Sequence, residues 1–169
     1  MQLNSFFPAP PALPIPINPP RENNDICKLL METDWVELLE VKTDLLVKAG
    51  ALWLFGFLEE SHRLVQQDCS REGKYWHALI HRSEGDFSNS LYWFNQVGEH
   101  PIFEVIRSKW ALENAHSEIN HEWSPEFFVT LCKKVRQGNS ESKISVDVQL
   151  MAQMEYNFLM QFILQQSKS

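Results

Sequence analysis

The sequence predicts an all-α, single-domain helical bundle preceded by an extended, proline-rich N-terminal arm. Three observations carry that expectation. Apolar residues recur at helical spacing, helix start and stop residues bracket those stretches, and seven of the nine prolines fall within Met1 to Pro20. A chain of 169 residues can bury about two-thirds of the surface its unfolded form exposes, so no metal or disulfide staple is needed for folding.

Residues 1–25 are read as the arm and 26–169 as the bundle. Proline lacks an N–H and fixes φ, which rules out helix or central strand in FFPAPPALPIPINPP. Phe6, Phe7, Leu13, Ile15 and Ile17 make the arm more apolar than a free linker, so it suits a groove of the domain, a protein partner or self-association.

Asp34 is positioned to cap a helix with Glu37 three places on. The stripe Trp35, Leu38, Leu39, Lys42, Leu45 and Leu46 extends that helix to a stop near Gly50. A second helix is expected from Ala51 to Gln67, with Ala51, Leu54, Phe55, Leu58 and Val65 on one arc and His62 projecting from inside it. Two short helices follow, Lys74 to Ser83 and Ser88 to Val97, joined at Glu84-Gly85-Asp86 with Ser88 as the second N-cap. Gly98 and Pro101 end that hairpin, and Ile102, Phe103, Ile106 and Trp110 recur at helical spacing beyond it. Ser124-Pro125-Glu126 combines an N-cap serine, a proline at N1 and an early carboxylate, and the helix it starts ends at Gly138. The stretch Gly138 to Ser142 is read as a loop. Val148, Met151, Met154, Phe158, Phe162 and Ile163 mark a last helix, and Lys143 to Val148 is the one strand candidate.

With 22 acidic against 15 basic side chains the formal charge is −7, which argues against a phosphate-binding face and so against nucleic acid. Cys27, Cys69 and Cys132 are odd in number and unpaired in spacing, which fits a reducing compartment. The longest apolar run, Ala51 to Leu58, is too short for a bilayer, and the N-terminus has no basic-then-apolar leader pattern, so a soluble cytoplasmic protein is expected.

The densest region is YWHALIHRSEGDFSNSLYWFNQVGEHP, Tyr75 to Pro101. Its Gly-Asp turn, its small residues Ala78 and Ser90, its aromatic Phe94 and its closing Pro101 resemble one tetratricopeptide-like helical hairpin. The string also resembles a signature of small helical proteins, WHAxxHRxxxDFxNxxYWFxxVGxHP, whose activity is unknown. That likeness spans Leu52 to Phe103 and implies fold boundaries without a mechanism.

His77 and His81 stand one helical turn apart, the separation two imidazoles need to reach one cation, with Glu84 on the same face. His62 on the preceding helix can oppose them. The set His62, His77, His81 and Glu84 with an open position suits Zn, Fe or Mn, with Glu59 or His100 as acid–base group. HxxxH lacks the internal glutamate of the HExxH motif, and an equally economical reading makes His62 a core histidine satisfied by Glu59, Gln66 or a backbone carbonyl, with His77 partly buried beside Trp76. His116 and His121 do not share a helical face. No nucleophile elbow, phosphate loop or dinucleotide fingerprint occurs. The leading functional expectation is therefore a protein-interaction or scaffold module using the arm and the aromatic helix Ser88 to Val97. The alternative is a metal-dependent hydrolase or oxygenase. A third reading is an apolar ligand pocket among Trp53, Trp76, Trp93 and Phe94.

Overall fold

Caps and breakers divide the chain into nine helices, with no strand, among the residues that the computed structural model describes, 24–42, 44–113, 123–138 and 142–168. In order they are α1 Asn24–Glu32, α2 Trp35–Leu39, α3 Leu45–Leu54, α4 Leu58–Val65, α5 Arg71–Glu84, α6 Phe87–Val97, α7 Pro101–Glu113, α8 Pro125–Arg136 and α9 Ser142–Lys168. The all-α expectation holds. Residues 1–23 of the proline-rich arm and the His116 to His121 stretch lie outside the described residues, while Asn24 and Asp25, read as the end of the arm, open α1. None of the described helices is long and apolar enough to cross a membrane.

Asp34 caps α2 as expected, its side chain accepting from Glu37 N at 3.0 Å. The helix does not run on to Gly50, because Glu40 takes a left-handed conformation at φ 54° and the chain restarts at Leu45. Gly50 sits inside α3 for a packing reason. A Cβ there would lie 2.6 Å from both Met160 Sδ and the Trp76 ring, so only glycine admits that close approach. The break expected at Gly50 falls instead at Gly56, φ 83°, which cuts the predicted Ala51 to Gln67 helix in two.

The hairpin starts earlier than predicted. Ser70 caps α5 through Gly73 N at 3.0 Å, and Asp86 rather than Ser88 caps α6 through Asn89 N at 3.1 Å. Ser124 caps α8 as read from the sequence, accepting from Phe127 N at 3.1 Å. The strand candidate Lys143 to Val148 belongs to α9.

The helical hairpin is built twice. In α3–α4 the Ser61 hydroxyl donates to Ala49 O, and in α5–α6 the Ser90 hydroxyl donates to Ala78 O, each at 2.8 Å and each across 12 positions. Gly56 and Gly85 turn the two hairpins at φ 83° and 84°. A small residue on each side lets the helices approach until a hydroxyl reaches the facing backbone carbonyl, and the glycine supplies the positive φ. The two hairpins stack through α4 on α5, which places His62 opposite the face of α5 that carries His77 and His81.

Helix α3 is buried nearly all round, at Val47 and from Ala49 to Leu54, as a central helix must be. Trp53 stacks on Tyr156 of α9 at 5.6 Å between ring centroids and donates to Ser83 Oγ of α5 at 3.1 Å. Trp53, Trp76 and Phe94 fill the core among Tyr75, Tyr156 and their neighbours. These three aromatics belong to the buried core, and Trp93 packs against it partly exposed.

Candidate metal centre

Three imidazoles from two helices meet where α4 crosses α5. One nitrogen from each of His62, His77 and His81 lies within 4.8 Å of the others. His62 Nε2 and His77 Nε2 are 3.0 Å apart, and the His62 ring stands edge-on to both His77 and His81. His77 and His81 lie parallel, one turn apart, at 5.9 Å between centroids.

Each ring is oriented by a neighbour. Trp93 of α6 stacks on His77 at 4.1 Å with planes 5° apart. Glu84 Oε2 lies 3.0 Å from His81 Nδ1. A carboxylate on Nδ1 holds the proton there and leaves Nε2 as a bare lone pair, the arrangement that aims a histidine at a cation. Asn89 Nδ2 lies 3.3 Å from that Nε2 and can donate to it.

Electrostatics keep the central rings uncharged. Burial lowers the His77 pKa to about 4, helped by the neighbouring His62 and His81. Burial, with His81 beside it, also lowers that of His62. Neutral imidazole is the ligand form. His77 Nδ1 is buried without a hydrogen-bond partner among the described residues, so the fold alone does not complete this ring's bonding. His62 and His81 are only partly buried and Glu84 is exposed, so the cluster reaches solvent on that side.

The structure thus brings together His62, His77, His81 and Glu84. Glu84 takes the role of orienting His81 rather than joining the three-nitrogen group. Glu59 is exposed in the first turn of α4, one turn before His62. His100 is not brought to the cluster. It is buried on the other side of α5 against Tyr75, Phe103 and Phe162, and its Nδ1 accepts from Ile102 N at 3.3 Å. Its Nε2 faces Glu72 Oε1 at 3.4 Å, longer than an ordinary hydrogen bond but close enough to hold the Glu72 carboxyl below its usual range.

Sequence reasoning placed Trp93 in a contact surface or an apolar pocket and did not single out Asn89; the structure sets Trp93 on His77 and Asn89 beside His81. Both stand in the DFxNxxYWF segment, and the signal was their place on the helix that packs over the HxxxH face. No protein-family profile, curated protein or solved structure matches the chain.

Proposed function

We propose that this protein is a metal-dependent hydrolase whose centre is held by His62, His77 and His81. The convergence of three imidazole nitrogens within 4.8 Å carries the reading. Three nitrogen donors with a solvent-facing side are the ligand pattern of catalytic rather than structural zinc sites, which use all four positions for protein. An ion held there lowers the pKa of bound water toward neutrality and so supplies a nucleophile. Glu84 aims His81, Trp93 fixes the plane of His77, and Glu59 is the carboxylate one turn away on the His62 side of α4.

A hydrolytic rather than an oxygenase role is favoured because the nearest carboxylate is engaged with His81, whereas the iron oxygenase triad needs a carboxylate as ligand. The interaction-module reading draws less support. Among the described residues of α6, Tyr92 is its one large exposed apolar side chain, while Trp93 and Phe94 turn inward.

Protein purified without chelators is expected to carry about one transition-metal ion per chain, and His77→Ala to carry none. The metal-loaded chain should hydrolyse an activated ester or phosphodiester, and activity should vanish on chelation and return with Zn²⁺ or Mn²⁺. A chain that is empty as purified and takes up neither Zn²⁺, Co²⁺, Mn²⁺ nor Fe²⁺ would sink the proposal.

A further inference from the structure

We infer that Asn89 is the fourth protein ligand of this centre, binding through its side-chain oxygen as a weak donor that water or substrate can displace. The inference rests on the three-histidine reading above and adds a residue to it. In a tetrahedral site with bonds of roughly 2.0–2.1 Å, any two ligand atoms stand roughly 3.3 Å apart, so the three imidazole nitrogens, spread over as much as 4.8 Å, must draw together on binding an ion. The terminal amide atom of Asn89 is 3.3 Å from His81 Nε2, the separation of neighbouring ligands around one ion.

Without an ion the contact makes sense with Nδ2 inward, because His81 Nε2 is then a bare acceptor and the amide N–H a donor. Once that lone pair is given to a cation, the donor has no acceptor and faces positive charge. A half-turn of the amide exchanges Nδ2 for Oδ1 with almost no movement of heavy atoms and presents an acceptor to the ion. Asn89 has no competing side-chain duty in the helix cap, since its backbone N–H alone bonds Asp86 Oδ1. That bond anchors the residue in the first turn of α6, beside the helix position that brings Trp93 over His77. A neutral amide oxygen binds less tightly than a carboxylate or imidazole, which lets it complete the resting site and yield to an incoming oxygen.

Co²⁺ titrations of full-length wild type, Asn89→Ala and Asn89→Asp test this, followed by visible absorption for coordination and circular dichroism for folding. Asn89→Ala is expected to weaken Co²⁺ binding about tenfold and to change the d–d bands. Asn89→Asp is expected to tighten it at least tenfold, since a carboxylate replaces an amide in the same place. Both variants keep the backbone N–H that the cap uses, and aspartate suits the first turn of a helix. Equal loss in both variants, or affinities and spectra indistinguishable from wild type, overturns the assignment of Asn89 while leaving the three-histidine centre standing. Wild type that binds no Co²⁺ overturns both.

Discussion

On one side of α5, Arg82 and Tyr75 converge on Glu155 of α9. On the other, His77 and His81 meet His62 of α4. The first group is charged and closed. Arg82 and Glu155 pair directly, Tyr75 Oη donates to Glu155 Oε1 at 2.9 Å, Arg82 lies over the Phe128 ring, and burial pushes the adjacent Cys132 thiol up to about 12. The second group is open. Burial holds its His62 and His77 rings toward the neutral form, and its rim reaches solvent, whereas the closed group is sealed although Arg82 Nε and Nη1 find no partner there among the described residues. A buried charge must be met by its opposite, so the first face locks α5 to α9. The second face joins its rings only to one another and to Asn89 and Glu84 at a rim open to solvent, contacts that a cation could replace, and it is the face on which the proposed centre stands.

The largest expected effect comes from unbalancing the closed face. Glu155→Ala leaves Arg82 and the Tyr75 hydroxyl buried without their acceptor and should destabilise the fold by about 3–5 kcal/mol, read from urea unfolding. Replacing both charged partners with apolar residues, Arg82→Met with Glu155→Leu, should recover the share of that loss due to the stranded guanidinium, though not the share of the Tyr75 hydroxyl, while leaving metal uptake unchanged. A single variant as stable as wild type would remove the contrast between the faces. So would a double variant that stays folded but no longer takes metal.

Acid should probe the open face. In the metal-free protein the folded His77 pKa, about 4, lies below its ordinary 6.5. Between those values the unfolded chain holds a proton that the folded one refuses. The stability is therefore fully present above about pH 6.5 and is lost as pH falls toward 4, by on the order of 3 kcal/mol at 1.36 kcal/mol per pH unit. His62, also lowered, adds to the same slope, while His81 and Glu84 face the same cluster and stay in both proteins compared. His77→Gln should flatten the decline across that window. An equally steep decline in the variant would place the acid sensitivity elsewhere.

Much of this architecture was legible because caps and glycines act locally. Asp34 and Ser124 do what their side chains can do within three residues, and the HxxxH spacing put His77 and His81 on one face whatever surrounds them. What was not legible depends on packing between distant segments. Gly50 reads as a stop until Met160 and Trp76 are seen against it. The second copy of the hairpin shares Ala49, Gly56 and Ser61 with Ala78, Gly85 and Ser90 at the same spacing, small residues whose common task shows only once the φ of each glycine and the serine-to-carbonyl bonds are seen. His100 follows the hairpin in sequence, yet α7 carries it to the Tyr75 side of α5. Glu84 sits on the expected face, but its short side chain turns back to the ring one turn before it.

The smallest expected effect is also the one most specific to the open face. Glu84→Gln keeps an acceptor near His81 Nδ1 and removes the negative charge that makes the ring a stronger donor to a cation. Zn²⁺ affinity should fall about 10-fold, toward the low end of the losses seen when a carboxylate behind a metal-bound histidine is replaced. Unfolding of the metal-free protein should hardly change, because Glu84 is exposed and its hydrogen bond to His81 lies at the rim. On the closed face the corresponding loss of charge, Glu155→Gln, should destabilise the fold instead, because Arg82 has no solvent to turn to. Competitive titration against a chelating dye, beside thermal unfolding of the same two variants, separates these behaviours. If Glu84→Gln lowers Tm as much as Glu155→Gln and leaves Zn²⁺ affinity untouched, Glu84 is a helix-end brace and the carboxylate behind His81 has no part in holding an ion.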